Sequence, residues 1–284
     1  MKVLVFGQTG QVARELARRM PPDVTARFLG RDLANLSDPP ACAAAVLATD
    51  ANVVINAAAW TAVDQAETEE TAATMVNADA PGAMAQACAA RGLPFVHIST
   101  DYVFDGSGDA AFAVNHPTAP LGAYGRSKLA GEKAVRASGA RHVILRTSWV
   151  VSAHGVNFVK TMLRLGATRD SLNVVADQIG GPTPAADIAD ALYLIARALH
   201  HGAPGGTQHF AGAPDTSWAE FAREIMKRAG LACAVQDIPS ADYPTPAKRP
   251  MNSRLNCTAL AQDFAILRPD WRMGLDQILQ ELAV

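Results

Sequence analysis

The protein has 284 residues, of which 49% are hydrophobic and 18% charged, and its formal net charge is -2 at pH 7. This composition excludes intrinsic disorder, and at roughly 100–200 residues per domain the length suits one large domain with a smaller one. Because 25 basic side chains nearly balance 27 acidic ones, there is no basic excess that would point to a nucleic-acid partner.

No run of about 18 or more apolar residues is present, so we expect no transmembrane helix and no membrane partner. The apolar run Val3–Phe6 is too short for a signal peptide, and we therefore expect a cytoplasmic protein. The cysteines form no C-x-x-C pair, so neither a zinc site nor a disulfide framework is expected. They are Cys42, Cys88, Cys233 and Cys257.

Short apolar runs alternate with longer amphipathic stretches in residues 1–150. The short runs predict strands at Val3–Phe6, Thr25–Leu29, Val53–Asn56, Phe95–Ser99 and His142–Arg146. The longer stretches predict helices at Val12–Met20, Ala41–Ala48, Glu69–Arg91 and Tyr124–Ala137. Strands that are apolar along their whole length indicate a parallel sheet covered on both faces. The predicted fold class is therefore α/β, with a doubly wound, Rossmann-like sheet.

The pattern becomes less regular after Trp149. It predicts helices at Asn157–Leu165, Ala185–His200, Trp218–Ala229 and Leu275–Leu282, strands at Leu172–Ala176 and Thr207–Ala211, and a proline-rich loop at Pro239–Pro250. The strand at Thr207–Ala211 is expected to rejoin the main sheet. We predict a dinucleotide-binding domain of residues 1–150 plus about 185–212. The smaller C-terminal α/β lobe, at about 151–184 plus 213–284, is expected to bind substrate.

The segment from Gly7 to Ala13 follows the first predicted strand and opens the first predicted helix. Its small residues permit a tight turn, and N–H groups at a helix N-terminus can bind a pyrophosphate. The spacing is G-x-x-G-x-x-A instead of G-x-G-x-x-G, so an ordinary strand-to-helix turn is the alternative. The candidate cofactor-binding residues of this loop are Gly7, Thr9, Gly10, Gln11 and Val12.

The segment after the second predicted strand should select the nucleotide. An arginine there accommodates a 2′-phosphate, whereas an acidic residue binds a ribose 2′-hydroxyl. The chain has Arg31 followed by Asp32, which favours NADPH and leaves NADH open; solvated loop charges are the alternative. The other candidate cofactor-binding residues of this region are Asn35, Leu36, Ala57, Ala58, Ala59 and Thr61.

Tyr124 and Lys128 are four residues apart, which places them on one face of a helix. A free phenol ionises near pH 10 and a neighbouring cation stabilises the phenolate, so such a pair can act as a general acid/base near neutral pH. Thr100 follows the fourth predicted strand, whose carboxyl end should face the ligand crevice. We predict Thr100, Tyr124 and Lys128 as catalytic residues. A pair on the helix surface is the alternative for Tyr124 and Lys128.

Seven segments spread over nearly the whole chain carry a resemblance to a known family. They are Phe6–Val12, Asn56–Asp64, Ser99–Phe104, Tyr124–Glu132, Arg146–Val150, Asn157–Met162 and Arg249–Leu255. In these segments the chain resembles the extended short-chain dehydrogenases/reductases that act on sugar nucleotides. More narrowly, it resembles the dTDP-4-dehydrorhamnose reductase family.

The resemblance implies that NADPH delivers a hydride to the C4 ketone of dTDP-4-dehydro-L-rhamnose while Tyr124 protonates the alkoxide. It implies that Lys128 holds the nicotinamide ribose and lowers the pKa of Tyr124, and that Thr100 hydrogen-bonds the C4 oxygen. Related 4,6-dehydratases carry an Asp-Glu pair after the catalytic threonine, and Tyr102 in place of that glutamate favours simple reduction. The implied contacts of the dTDP-sugar are Thr61, Val63, Thr100, Asp101, Tyr102, Trp149, Arg249, Asn252 and Arg254.

Some members of the resembled family hold Mg²⁺ through glutamates at a dimer contact. Glu15 and Glu281 are the candidate ligands here, but Ala186 stands where a further glutamate is expected, which argues against the metal. We expect a monomer or a homodimer. One alternative is a non-catalytic NADP-binding regulatory subunit of the methionine adenosyltransferase type, although the chain retains all three predicted catalytic residues. The other is a reductase of another nucleotide-linked 4-keto sugar.

Overall fold

The computed structural model describes residues 1–284, which form thirteen strands and eleven α-helices. The strands are β1 (Lys2–Phe6), β2 (Thr25–Leu29), β3 (Val53–Asn56), β4 (Phe95–Thr100), β5 (His142–Thr147), β6 (Val150–Val151), β7 (Ser171–Val175), β8 (Ile179–Gly180), β9 (Thr183–Pro184), β10 (Gly206–His209), β11 (Thr216–Ser217), β12 (Ala234–Ile238) and β13 (Asn252–Ser253). The helices are α1 (Gln11–Arg18), α2 (Pro39–Leu47), α3 (Val63–Ala66), α4 (Glu70–Thr74), α5 (Ala80–Ala90), α6 (Ala123–Ala137), α7 (Phe158–Gly166), α8 (Ala185–His200), α9 (Trp218–Arg228), α10 (Thr258–Phe264) and α11 (Trp271–Glu281).

Six parallel strands form the main sheet, in the order β10-β5-β4-β3-β1-β2. The chain runs from β1 outward to β2 and then crosses to β3 on the other side of β1. In open parallel sheets, such a reversal leaves a ligand-binding crevice beyond the carboxyl ends of the strands. The crevice here lies beyond Phe6 of β1 and Asn56 of β3. The predicted doubly wound, Rossmann-like sheet is confirmed.

Alternating side chains of β1 enter two separate cores, because successive residues of a strand point to opposite faces. Val3 and Val5 join a cluster of 22 buried residues that also draws on α1 and α8. Leu4 and Phe6 join a cluster of 17 buried residues with α2 and α5 on the other face. Both faces of the sheet are therefore covered, which accounts for strands without polar alternation.

The single helix predicted over Glu69–Arg91 is wrong. It is divided into α4 and α5 by a π-helical turn at Met75–Asp79. Pro81 has no N–H to donate to the carbonyl of Asn77 four residues earlier, so the regular helical ladder is interrupted there. Gly131 of α6 leaves room for that carbonyl, because a Cβ at this position would lie 2.0 Å from its oxygen. Helix α6 can therefore pack closely against the π-helical turn.

The C-terminal part has its own core of 15 buried residues, to which α7, α9 and α11 contribute. Its parallel pair β7 and β12 includes one strand, β12, that the sequence did not predict.

Strand β10 pairs with β5 and so returns to the main sheet, as predicted for Thr207–Ala211, but it ends at His209. The last helix begins at Trp271, earlier than predicted, because the side chain of Asp270 caps it. No helix of the chain combines the length and apolar character needed to cross a membrane.

Candidate active site

The loop between β1 and α1 has the shape of an anion site. Gly7 has a φ of +117°, which L side chains rarely adopt, and a Cβ there would lie 3.3 Å from the backbone of Ala57. Helix α1 begins at Gln11, and its N-cap residue Gly10 has no side chain to cap the first turn. The first N–H groups of α1 and the positive end of its dipole are therefore free for a pyrophosphate.

The side chains predicted to bind the cofactor in this loop differ in their surroundings. Thr9 is exposed, whereas Val12 is buried in the core. The Oε1 atom of Gln11 accepts hydrogen bonds from Ser152 Oγ and Asn157 Nδ2, both at 2.9 Å. The Gln11 side-chain oxygen thus joins the loop to the C-terminal part of the chain.

The turn after β2 lies beside this loop, since an N–H of the loop donates to the last carbonyl of β2 at 2.9 Å. Arg31 and Asp32 are exposed on this turn. The Oδ1 atom of Asn35 accepts a backbone N–H two residues further along, at 3.0 Å, and Leu36 packs against the core. Of the four residues predicted here, Arg31 and Asp32 have side chains available to a nucleotide, and the other two shape the turn.

Small residues after β3 form one wall of the crevice. Ala57 is partly buried and Ala59 is exposed. The N–H of Ala58 donates to Asn56 Oδ1 at 3.1 Å, and Asn56 Nδ2 lies 3.2 Å from His97 Nδ1. Burial holds the pKa of His97 well below its usual value, so the imidazole is neutral and can accept from the Asn56 amide.

Thr100, Tyr124 and Lys128 meet at the carboxyl end of β4. Thr100 is the last residue of β4, and Tyr124 and Lys128 stand one turn apart on α6. The Thr100 hydroxyl is close enough to the Tyr124 phenol to lower its pKa. The Lys128 ammonium is buried and donates to the carbonyl of Ile98 at 2.7 Å. The structure therefore brings the three predicted catalytic residues together, and Lys128 is not part of a solvated surface pair.

The titration of Tyr124 and Lys128 is governed by burial. Burial raises the pKa of Tyr124; the nearby Thr100 hydroxyl acts in the opposite direction, and the negative charge of Asp101 raises the pKa further. This net rise is opposite to the lowering expected from the sequence, because the effect of burial is the largest one. Burial lowers the pKa of Lys128 to about 8, although the charge of Glu132 acts in the opposite direction. At pH 7 the site therefore holds a neutral phenol and a mostly protonated amine.

Asp101 and Tyr102 line the same part of the crevice. The Thr100 hydroxyl donates to Asp101 Oδ1 at 3.0 Å, and burial raises the pKa of Asp101 to about 6. The Tyr102 ring meets the Tyr124 ring edge to face, with centroids 5.5 Å apart and planes at 77°. Burial also raises the pKa of Tyr102, so this residue is neutral. The position that holds a carboxylate in the dehydratases therefore carries no charge here.

Glu67 is a site residue that sequence reasoning missed. Its Oε1 atom accepts the N–H of Ala123, the first residue of α6, at 2.9 Å. The N-cap of α6 is Gly122, which has no side chain, so a carboxylate from a distant segment caps the helix that carries Tyr124. The only signal in the sequence is a glycine where a Ser, Thr, Asp or Asn cap is usual.

A buried ion pair below the catalytic residues was also missed. Arg146 of β5 donates to both carboxylate oxygens of Glu132, at 2.8 and 2.7 Å, and Ser99 Oγ donates to Glu132 Oε1 at 2.6 Å. Glu132 lies one helical turn after Lys128. The pair therefore fixes α6 against β4 and β5. An arginine at the end of a predicted strand with an apolar middle was the available signal.

Trp149 lies just after β5 with a positive φ of 48°. Its ring stacks on Trp218, with centroids 3.6 Å apart and planes at 11°. Phe158 packs on the same Trp218 ring at 4.5 Å. Trp149 thus belongs to an aromatic cluster of the C-terminal part and is partly exposed. Across the crevice, Thr61 is exposed and Val63 begins α3.

The predicted diphosphate-binding residues are all bonded within the protein. Arg249 makes a bidentate pair with Asp64, at 3.0 and 2.9 Å. Asn252 is buried and donates to two loop carbonyls at 2.8 and 3.3 Å, and its Oδ1 accepts from Arg254 at 3.1 Å. Asn252 therefore positions Arg254, and the two partly exposed arginines are the groups that can reach a ligand.

The candidate metal ligands are held by an arginine. Arg18 pairs with Glu15 at 2.9 Å and with Glu281 at 2.7 Å, and His154 Nε2 lies 3.2 Å from Glu15. The ligand-type atoms of these three residues lie within 4.8 Å of one another. Mg²⁺ prefers oxygen ligands, and both carboxylates are already paired with the Arg18 guanidinium, which occupies the place of the cation. Ala186 lines the same pocket without a ligand atom. The residues present do not fit Mg²⁺.

The doubly wound sheet, the anion-binding loop after β1 and the neighbouring Thr, Tyr and Lys define an extended short-chain dehydrogenase/reductase. The family model described as "RmlD substrate binding domain" matches residues 1–284. A dTDP-4-dehydrorhamnose reductase of Sinorhizobium fredii is 44% identical, over 99% of this chain and 98% of that protein. The chain belongs to the dTDP-4-dehydrorhamnose reductase family, whose members are oxidoreductases.

Solved structures agree with this family. A dTDP-4-dehydrorhamnose reductase of Clostridium acetobutylicum has a TM-score of 0.94 and 34% identity, with 100% of both chains covered. The Bacillus anthracis enzyme, solved in complex with NADP, has a TM-score of 0.92 and 34% identity, with 99% of both chains covered.

Proposed function

We propose that this protein reduces the C4 ketone of dTDP-4-dehydro-L-rhamnose with NADPH, giving dTDP-L-rhamnose. The observation that carries the proposal is the convergence of Thr100, Tyr124 and Lys128 at the end of β4, in a chain of this family. A bound nicotinamide supplies the hydride. The protein must then supply a proton, an oriented cofactor and a place for the sugar.

Tyr124 is the proposed proton donor. Its raised pKa keeps the phenol protonated at neutral pH, so that it can protonate the alkoxide formed at C4. Lys128 is protonated and held next to the crevice by Ile98, and we assign it to the nicotinamide ribose. Thr100 is assigned to the C4 oxygen, because it ends β4 next to the phenol that would protonate the same atom and influences its pKa.

The cofactor is proposed to lie across the ends of β1, β2 and β3. Its pyrophosphate would meet the N-terminus of α1, and its adenosine ribose would lie by Arg31 and Asp32. NADP in the Bacillus anthracis relative supports the phosphorylated cofactor, as does the exposed Arg31 guanidinium, whose fork suits a 2′-phosphate. NADH stays the second cofactor to be compared in the assay. The full set proposed is Gly7, Thr9, Gly10, Gln11, Val12, Arg31, Asp32, Asn35, Leu36, Ala57, Ala58, Ala59, Thr61, Tyr124 and Lys128.

The sugar nucleotide is proposed to lie between the main sheet and the C-terminal lobe, with the domain limits expected from the sequence. Trp149 offers a partly exposed ring to the sugar, and Arg249 and Arg254 face the diphosphate. Because Arg249 is paired with Asp64, the diphosphate must compete with that carboxylate for the guanidinium. The other proposed contacts are Thr61, Val63, Thr100, Asp101, Tyr102 and Asn252.

The test compares the protein with its Tyr124→Phe variant in NADPH oxidation by dTDP-4-dehydro-L-rhamnose. We expect the variant to bind NADPH as the parent does, by nicotinamide fluorescence, and to lose at least about 100-fold in turnover, since a positioned general acid contributes roughly 10²–10⁴-fold. Equal turnover by the variant would refute Tyr124 as the proton donor. Binding of NADPH without oxidation by the parent protein would shift the assignment to another 4-keto sugar or to a regulatory subunit.

A further inference from the structure

Trp149 lies at the rim of the crevice, at the same edge of the sheet as Thr100. In the register of the main sheet, Thr147 of β5 pairs with Thr100 of β4, and Trp149 follows two residues later. The N–H of Thr183 donates to the carbonyl of Trp149 at 3.0 Å and fixes its backbone. Its φ of 48° lies in the left-handed region, which an L residue adopts only at an energetic cost. The contacts around Trp149 must therefore hold it in this conformation.

The Trp149 indole is covered on one face by Trp218. The ring centroids are 3.6 Å apart, and the ring planes differ by 11°. Because Trp149 is partly exposed and a stacked ring covers one face, the surface left for a ligand is the other face and the edges. Gly180 lies against the benzene part of the indole, since a Cβ there would be 2.8 Å from Cε2 of Trp149 and 3.1 Å from Cζ2. Trp218 and Gly180 together leave the ring little room to turn.

Strand pairing in the C-terminal part brings Gly180 and Trp218 near each other. Strands β8 and β11 are antiparallel, with Gly180 opposite Thr216. Trp218 begins α9 directly after β11, and the side chain of Ser217 caps this helix. Phe158 of α7 packs on Trp218, with ring centroids 4.5 Å apart. Trp218 is thus held by its own helix and by α7, so it can impose its orientation on Trp149.

We propose that Trp218 is a positioning residue, which acts through Trp149 and keeps the free face of that indole turned to the sugar of the substrate. This inference rests on the proposed function, which places the sugar against Trp149. The free indole face is a flat apolar surface that suits the C–H groups and the methyl group of a 6-deoxy sugar. Because the stack orders the ring before the sugar arrives, little rotamer freedom is lost on binding.

The test compares the binding of dTDP-L-rhamnose with that of dTDP, which lacks the sugar, by titration calorimetry in the presence of NADP⁺. In Trp218→Leu we expect the dissociation constant of dTDP-L-rhamnose to rise roughly 3- to 10-fold, the factor that an aromatic pair contributes to an equilibrium constant. The dissociation constant of dTDP should not change. Trp218→Phe keeps an aromatic face and should lose less. Parent-like binding of dTDP-L-rhamnose by Trp218→Leu, or an equal loss for both ligands, would overturn the proposal.

Phe158→Leu is the matched control, because Phe158 packs on Trp218 and makes no ring contact with Trp149. We expect this variant to bind dTDP-L-rhamnose as the parent does. A loss as large as that of Trp218→Leu would assign the effect to the packing of the whole aromatic cluster and overturn the role of the stack.

Gly180→Ala serves where Trp218→Leu does not fold. Its Cβ would push on the Trp149 ring and leave Trp218 in place, so the binding of dTDP-L-rhamnose should again weaken relative to that of dTDP. Parent-like binding of both ligands would show that the orientation of the Trp149 ring does not matter to the sugar, which contradicts the proposal.

The proposed function is judged on the parent protein, and the role of Trp218 on the variants. A parent that neither reduces dTDP-4-dehydro-L-rhamnose nor binds dTDP-L-rhamnose more tightly than dTDP refutes the proposed function. If the parent does both and Trp218→Leu behaves like it, the function stands and the role of Trp218 falls. In an active enzyme, Trp218→Leu should raise KM for the sugar nucleotide and leave KM for NADPH unchanged.

The hold of Trp218 on Trp149 is also measurable without any ligand. In protein labelled with fluorotryptophan, the fluorine NMR resonance of Trp149 is assigned by its loss in Trp149→Phe. Trp218→Leu should broaden or split this resonance, because the ring is no longer held in one orientation. A single resonance as sharp as that of the parent would overturn the positioning role whatever the substrate is.

Discussion

The buried pair of Glu132 and Arg146 should govern the stability of the catalytic helix. Their side chains are 0% and 2% exposed, and Glu132 also accepts from Ser99 and Arg136. Glu132→Gln keeps the size of the side chain but leaves the Arg146 charge buried without a counter-ion. Removing one partner of a buried pair costs about 3–5 kcal/mol. At roughly 2–3 °C per kcal/mol for a chain of this size, Tm should fall by about 10 °C.

The assay is thermal unfolding followed by circular dichroism at pH 7, with Arg136→Ala as the control. The Arg136 side chain is 38% exposed, so its pair with Glu132 should be worth at most about 1 kcal/mol. Burial alone would raise the pKa of Glu132, but the bonds from Arg146 outweigh it and hold the pKa below its usual value. The difference between parent and Glu132→Gln should therefore shrink as pH falls through that lowered pKa. A Tm loss no larger than that of Arg136→Ala would refute the reasoning.

Two further predictions concern the cofactor side of the site. Lys128→Met should abolish turnover yet raise the free energy of unfolding at pH 7 by roughly 3 kcal/mol, since burial lowers the pKa of Lys128 from 10.5 to about 8. The unfolded chain binds the extra proton between these pH values, so the advantage should disappear as pH rises from 8 to 10.5; a variant no more stable at pH 7 would contradict this. Arg31→Ala should raise KM for NADPH more than KM for NADH in steady-state kinetics, and equal effects would remove Arg31 from the 2′-phosphate site.

Most of the sheet was predictable because its central strands are short and mainly apolar. Thr25–Leu29 and Val53–Asn56 have the predicted limits. The π-helical turn was not predictable from periodicity, because it depends on Pro81 and on the close approach of Gly131. Strand β12 was missed because its half-exposed residues pair only with β7 and lack a strong apolar pattern.

The site was predictable where a residue type and its spacing carry the chemistry, as for Tyr124 and Lys128 on one helix face. The partners that hold the site residues in place come from distant segments and leave no local pattern. Asp64 meets Arg249 from a distance of 185 residues along the chain, and Glu67 caps α6 from 56 residues away. Such pairs are set by tertiary packing, so a single sequence does not reveal them.

The most direct test of the proposed function gives the purified protein NADPH and enzymatically prepared dTDP-4-dehydro-L-rhamnose, follows nicotinamide absorbance, and separates the nucleotide sugars by chromatography. We predict NADPH oxidation with formation of an equal amount of dTDP-L-rhamnose. Absence of oxidation in a protein that binds NADPH, or oxidation that yields a different sugar nucleotide, would contradict the proposal.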